Sequence, residues 1–346
     1  MNNNEPKIRV AITHGDLNGV GYEVIIKTFA DQRMFDFCTP VLYGSTKVAS
    51  YHKKLLTSVQ QDMQFNAIRD ASEALPGKYN VINLTQDEVK IDLGKSTELA
   101  GALSRESLNR ACADLKAGKV DVLVTAPINK RNIQAPDFDF PGHTEFLSHQ
   151  FGSSSLMLMV CDKIRIGIVT NHLALKDVPS ALTHDLLHEK IMLLNQSLRR
   201  DFGITTPKIA VLALDPHAGD NGVIGDFDQR IIRPVIDEVQ GEGVLAYGPF
   251  PSDGFFGSSE FNKFDGVLAL YHDQGLIPFK LMSFTEGVNY TAGLPYVRTS
   301  PAHGTGYDIA GHDRASEQSF RSAVYLACNI LRNRREYDEL TANPLK

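Results

Sequence analysis

Two hydrophobic rhythms alternate along this chain. Short, nearly continuous apolar runs stop at polar or turn-forming residues: KIRVAIT (7–13), TPVLYG (39–44), VDVLVTAP (120–127), RIGIVTNH (165–172), KIAVLALDPHAG (208–219) and GVLALYHDQG (266–275). Their length and β-branched content predict buried strands, the third cut off by Pro127. Between them lie stretches with apolar residues three and four apart. Leu103, Leu108, Ala111 and Leu115 share one face of a predicted helix over 96–119 that closes at Gly118. Leu186, Leu187, Ile191, Leu194 and Leu198 do the same over 180–203. Further helices are predicted over EVIIKTFADQRMF (23–35), about 46–57, 226–243 and 314–337. This alternation predicts an α/β chain with a largely parallel or mixed sheet. No internal repeat or low-complexity linker marks a boundary; soft ones fall near APINKRN (126–132) and after about residue 280.

Composition narrows the class. At 346 residues the chain is long enough for about two domains and a sizeable core, without disulfide or metal staples. A net charge of −6 argues against a nucleic-acid surface. Cys38, Cys112, Cys161 and Cys328 are far apart, which suits free, mostly buried thiols in a reducing compartment. MNNNEPKIRV has no apolar signal core, and no run of apolar residues is long enough to span a membrane, so a cytoplasmic location and no membrane partner are expected.

The candidate chemistry begins with histidines. Three apolar runs drive into His172, His217 and His272. In open α/β sheets ligands collect outside the carboxyl ends of the strands. Three neutral imidazoles placed there can hold a divalent cation and leave positions open for substrate. The competing reading is that each ring caps a strand or satisfies a backbone group. Only 11 residues of 346 are histidine, so chance poorly explains three matching strand ends. His184 and His188 also have metal-ligand spacing, i and i+4 on one helix, but read as a solvated helix edge. His52, His149 and His312 lie in polar surroundings and carry no signal.

Nine motifs occur in order: ITHGDLNGVGYE (12–23), VTAPINK (124–130), PGHTEF (141–146), TNHLAL (170–175), DPHAGDNGVIG (215–225), GPFPSD (248–253), YHDQGLIPFK (271–280), GVNYTAGLPYVRTS (287–300) and HGTGYDIAG (303–311). Together they resemble the 4-hydroxythreonine-4-phosphate dehydrogenase family of vitamin B6 biosynthesis. The resemblance implies two α/β/α domains with a central mixed sheet, similar to isocitrate and isopropylmalate dehydrogenases, with the active-site cleft between domains. It also implies a homodimer with a shared site. The expected domains are residues 1–127 plus 290–346 on the nucleotide side, and 128–289 carrying metal and dimer contacts.

The implied reaction is NAD-dependent oxidation of 4-phosphohydroxy-L-threonine at C3, then decarboxylation to 3-amino-2-oxopropyl phosphate, on the way to pyridoxine 5'-phosphate. The family's metal ligands fall on His172, His217 and His272, holding Mg²⁺, Zn²⁺ or Co²⁺. Its substrate contacts fall on His143, Thr144, Lys280, Asn289 and Arg298. NAD contacts are expected in HGTGYDIAG, at His303, Gly304, Thr305 and Asp308, because GDLNGVG lacks the G-x-G-x-x-G order.

A cation at the C3 oxygen would lower the alcohol's pKa and later stabilise an enolate. Arg298 offers a planar fork and Lys280 a point charge for phosphate and carboxylate, from a loop expected after His272. Without the resemblance, both read as solvated surface cations, Asn289 and Thr144 as local backbone partners, and His143 as a turn histidine. Asp273 and Lys280 are alternative general bases, and Asp273 can equally orient His272.

Some positions depart from the family pattern. Leu17, Asn18 and Tyr22 replace Pro, Ala and Pro in the first loop, which removes two fixed φ angles. Asp215 stands where Asn is common and Asp220 where Glu is common, and TSPAHGTGYD differs from the usual Val-Asp-His-Gly-Thr-Ala. The alternatives are a paralogous dehydrogenase of 4-phosphoerythronate or 4-phosphothreonate, a metal-dependent aldolase or hydrolase, and a non-catalytic phosphoacid-binding module.

Overall fold

The computed structural model describes residues 7–136 and 138–343. They form two compact units: one takes the chain up to Leu147 and Tyr296–Leu331, the other Ser148–Pro295 and the chain from Arg332. The strands are β1 (Arg9–Thr13), β2 (Thr39–Gly44), β3 (Phe65–Ile68), β4 (Tyr79–Asn83), β5 (Val122–Thr125), β6 (Leu156–Cys161), β7 (Ile164–Ile168), β8 (Lys208–Leu212), β9 (Leu245–Phe250), β10 (Gly266–Ala269), β11 (Val288–Ala292) and β12 (Arg298–Pro301). The helices are α1 (Gly21–Ala30), α2 (Arg33–Phe37), α3 (Thr46–Leu55), α4 (Glu98–Lys116), α5 (His143–Phe151), α6 (Val178–Ala181), α7 (His184–Arg200), α8 (Arg233–Gly241), α9 (Ser252–Gly257), α10 (His272–Met282) and α11 (Gln318–Thr341).

In the first unit the strands lie in the order β3-β4-β2-β1-β5-β12, every pair parallel. Strands covered on both faces need no polar side, which explains why Val10–Ile12, Val41–Tyr43 and Val122–Val124 are apolar throughout and fully buried. The chain builds outward from β1 through β2 and then returns to β5 on its other flank. The loops after β1 and β5 therefore leave side by side from the carboxyl edge, at a switch point. The Asp16 N–H donates to the Pro127 carbonyl across that point at 2.9 Å. α3 and α4 start at side-chain caps, Ser45 accepting from Val48 N–H and Thr97 from Ala100 N–H.

The second unit has the order β11-β6-β7-β10-β8-β9. β11–β6 and β6–β7 are antiparallel and the other three pairs parallel. Helices cover both faces. Val267 pairs with Ile166, so Ile166, Ile168 and Ala269 share a face, and a Cβ on Gly275 of α10 would meet all three side chains. Gly266 points the other way, and a Cβ there would meet Leu194 and Leu198 of α7. Thus α10 and α7 sandwich β10, as an α/β/α layer arrangement requires.

The structure redraws several predicted elements. The helix expected over 23–35 breaks at Asp31 and Gln32 into α1 and α2. The one expected over 226–243 opens with a π-helical turn, Asp228–Ile232, before α8. The loop expected after His272 is the helix α10, and Arg298 lies inside β12. All four cysteines are free, with Cys38, Cys112 and Cys328 buried. Among the described residues no helix is long and apolar enough to cross a membrane.

Candidate active site

In the second unit β7, β10 and β8 are adjacent and parallel, and each sends its carboxyl end into one of the three histidines. Pairing continues past the strands: Val169 N–H donates to the Ala269 carbonyl, and Thr170 gives both its N–H and hydroxyl to Leu270. This places His172 beside His272, with ring centroids 5.8 Å apart. His272 is the first residue of α10, and its Nδ1 lies 2.7 Å from Asp273 Oδ1. A carboxylate on one ring nitrogen fixes the ring and directs the other nitrogen outward, the arrangement metal-binding histidines use.

The ligand atoms of His172, His217 and His272 do not all lie within 4.8 Å of one another. His217 lies on a turn with left-handed backbone from His217 through Gly222, φ 55° at His217 and 44–53° at Ala218, Asp220 and Asn221. Each non-glycine residue there costs about 1 kcal/mol or more, and such strain clusters at ligand clamps and switch regions. Gly219 is required at its centre, because a Cβ would collide with the Gly225 carbonyl. Buried Asp228 anchors the turn's entry, its two carboxylate oxygens accepting from Leu214 N–H at 2.8 Å and Asp215 N–H at 2.9 Å.

Gln274 holds these strand ends together. Its carbonyl oxygen accepts from Leu270 N–H at 2.7 Å, and its amide donates to the Ala213 carbonyl at 2.7 Å and to Ser252 Oγ at 2.8 Å. Lys280 is exposed on α10, eight residues beyond His272 and about 12 Å along the axis. Asn289 lies on β11, opposite Met159 of β6.

The first unit gathers a different set. Arg298 is buried on β12, and its guanidinium donates twice to Thr125 Oγ1, at 2.7 and 3.2 Å. Burial lowers its pKa to about 10 against the pull of Glu145, so it is a cation at neutral pH. His143 opens α5 rather than sitting in a turn, and Thr144 follows it, buried. Burial, then the Arg298 and Lys130 charges, hold the His143 pKa well below the usual range, so the ring is neutral. Its Nε2 is shielded from solvent and has no hydrogen-bond partner, as expected of a group that receives a ligand.

Beside this set the loop after β1 meets the segment after β12. Val20 N–H donates to the Thr305 carbonyl at 2.9 Å. Tyr307 Oη and Asn132 Nδ2 both donate to Asp16 Oδ2 at 2.7 Å, so one buried carboxylate ties three loops together. His303 Nδ1 lies 2.9 Å from the Gly304 carbonyl; Gly304 faces open space, and His303 and Asp308 are exposed.

Two residues that depart from the family pattern, Asn18 and Tyr22, tie the first loop down by bonding. Asn18 donates to the Lys95 carbonyl and Thr97 Oγ1 and accepts from Asp92 N–H. Tyr22 stacks between His14 at 5.3 Å and His52 at 5.0 Å, and its hydroxyl accepts from Ser45 N–H. His52 is buried, against its polar sequence surroundings. Asp16, Gln274 and Asp228 were not among the expected site residues. Asp16 and Gln274 fall within resemblance motifs, whereas Asp228 carries no sequence signal because its partners are backbone N–H groups.

Comparison with known proteins places this arrangement. Residues 36–327 match the family described as "Pyridoxal phosphate biosynthetic protein PdxA". A 4-hydroxythreonine-4-phosphate dehydrogenase of Bacteroides thetaiotaomicron is 49% identical over 344 residues, covering 99% of this chain and 94% of that protein. One from a Sulfurihydrogenibium species is 38% identical over 331 residues, covering 95% of this chain and all (100%) of that protein. The crystal structure of the Klebsiella pneumoniae 4-hydroxythreonine-4-phosphate dehydrogenase superposes with a TM-score of 0.81 at 33% identity, covering 94% of this chain and 100% of that one. Matched over most of its length by the family and by relatives at 49% and 38% identity, the chain belongs to the PdxA family, an enzyme family of dehydrogenases.

Proposed function

We propose that this protein oxidises 4-phosphohydroxy-L-threonine at C3 with NAD and a divalent cation, and that the resulting β-keto acid loses carbon dioxide to give 3-amino-2-oxopropyl phosphate. The observation that carries this reading is the pair His172 and His272, 5.8 Å apart at adjacent parallel strand ends, with Asp273 orienting one ring. The donor chemistry fits a divalent cation: imidazole nitrogens, one ring already held by a carboxylate. His217, after the adjacent parallel strand β8, is the third ligand in this reading. A divalent cation held there supplies Lewis acidity and NAD supplies the hydride acceptor.

The remaining roles belong to the chain's own side chains. Arg298, fixed by Thr125, presents a permanent cation to the substrate's phosphate or carboxylate. His143 and Thr144 beside it offer a neutral acceptor or donor and a hydroxyl. Lys280 and Asn289 are the further substrate contacts that the family resemblance implies. Asp273 orients His272, because its oxygen already engages Nδ1. The C3 hydroxyl proton goes to Asp273 itself or to the free-amine form of Lys280, two turns along α10. His303, Gly304, Thr305 and Asp308 form the nucleotide side, where Gly304 leaves space for close approach. Working as a cytoplasmic homodimer belongs to the same reading.

NADH formation from 4-phosphohydroxy-L-threonine tests it, measured by absorbance after chelation and again after adding back Mg²⁺, Zn²⁺ or Co²⁺. The expected outcome is no turnover after chelation and recovery with metal. Turnover only with 4-phosphoerythronate or 4-phosphothreonate would reassign the substrate. Metal-loaded protein silent on all three acids would sink the dehydrogenase reading.

A further inference from the structure

Two helices of the second unit carry a group of metal-ligand side chains that the proposed reaction does not use. His184 and His188 lie in the first turns of α7; Glu238 lies in the last turn of α8 and Glu242 just past its end. His184 Nε2 is 2.8 Å from Glu238 Oε2, and His188 Nε2 is 2.8 Å from Glu242 Oε1 and 3.9 Å from Glu238 Oε1. Donor atoms of His188, Glu238 and Glu242 all lie within 4.8 Å of one another. No other group of three His, Cys, Asp or Glu among the described residues does so.

We propose that His184, His188, Glu238 and Glu242 form a second divalent-metal site, separate from the strand-end histidines, whose donor set selects Zn²⁺. Each helix contributes a pair at i and i+4, on one face, and the two pairs oppose each other in register. Two imidazole nitrogens and two carboxylates are zinc ligands, whereas Mg²⁺ and Ca²⁺ prefer oxygen alone. Tetrahedral zinc, with bonds of roughly 2.0–2.2 Å, sets its donors about 3.3 Å apart. Around His188 the two carboxylates stand at 2.8 and 3.9 Å, which bracket that value, and His184 adjoins this group through its own 2.8 Å contact with Glu238. The helix backbones are fixed beneath it, with Leu187, Ile191 and Leu194 of α7 and Val235, Ile236 and Val239 of α8 buried.

Charge favours an occupant. Glu238 and Glu242 repel each other at i and i+4, and they sit at the negative end of α8. Asp185, 3.5 Å from His184 Nδ1, adds a third carboxylate. A bound divalent cation relieves this repulsion. α7 packs on β10 and α8 on β9, so the ion braces the helical layer beside the strands that carry His272 and His217.

The test is zinc binding by the full chain after chelation, read as bound metal after dialysis and as the zinc-dependent rise in Tm. The unmodified protein is compared with His184→Gln/His188→Gln and with Glu238→Gln/Glu242→Gln. Loss of one supporting contact around a zinc site already weakens binding about tenfold. Each pair of changes should therefore remove one zinc per chain and most of the Tm rise, with NADH formation unchanged. Folded variants that bind as much zinc as the unmodified protein, equally tightly, would overturn the proposal. Crystals of unmodified protein soaked in zinc decide it without variants: anomalous density between α7 and α8 supports the site, and density at other sites only refutes it.

Discussion

A single ring shows how this chain meets the demands of its first loop. Tyr22, in place of a proline, is held between His14 and His52, and all three rings are buried. Burial pushes the pKa of His14 and of His52 down to about 4. The unfolded chain therefore binds more protons than the folded one between the unfolded pKa near 6.5 and the folded value near 4. Stability from the neutral rings is present above about pH 6.5 and is lost as pH falls below it. Between pH 7 and pH 5 each ring should cost about 2 kcal/mol. Urea denaturation at the two pH values measures this, and His52→Phe, which keeps an aromatic ring and cannot titrate, should shrink the difference by about that amount. An unchanged pH dependence in the variant would show that His52 does not carry it.

At the scale of elements the strands around the site were the readable part. β1, β2, β5 and β8 fall within the apolar runs that predict them, because parallel strands covered on both faces need continuous hydrophobicity. α4 and α7 follow their periodic faces to within a few residues. α10 was hidden. Gly275 and Pro278 look like punctuation, yet the helix keeps the glycine because it lies against Ile166, Ile168 and Ala269. Packing there outweighs local propensity. Arg298 was misplaced for a related reason: its partner Thr125 lies 173 residues away, so nothing local marks it as buried. The facing pairs on α7 and α8 are likewise legible one helix at a time, and only the fold opposes them.

Gln274 lets the element scale be tested. It joins the β10–α10 turn to the end of β8 and to α9, and it is buried. Gln274→Leu keeps the volume but strands the Leu270 N–H and the Ala213 carbonyl. Each such group costs about 1–3 kcal/mol, so the variant should lose about 2–6 kcal/mol in urea denaturation. It should also bind metal at the strand-end histidines about tenfold more weakly, since the turn carrying His272 is no longer tied to the strand leading to His217. Lost stability with metal binding intact would make Gln274 a structural strut without a part in the site.

At the scale of the whole molecule, one group of exposed apolar side chains among the described residues lies along α10. Ile277 and Leu281 are 59% and 84% exposed on one face of α10, and Phe284 just beyond is 82% exposed. Three large apolar side chains this open, two on one helix and one just past its end, are costly in water, at about 25 cal/mol per Å² of apolar surface, and such patches mark interaction sites. The occupant expected is the same helix of a second copy, because a two-fold axis brings the same patch of two chains together. The same α10 carries His272 and Lys280, so losing the cover on its outer face is expected to lower turnover. Light scattering on a sizing column should therefore report twice the 38.2 kDa chain mass. Leu281→Asp/Phe284→Asp should shift the protein to a single chain, leave its helical content unchanged, and lower kcat more than tenfold through the loosened α10. A monomer that retains full turnover would separate assembly from catalysis, and an unmodified protein that runs as one chain would remove the self-association argument altogether.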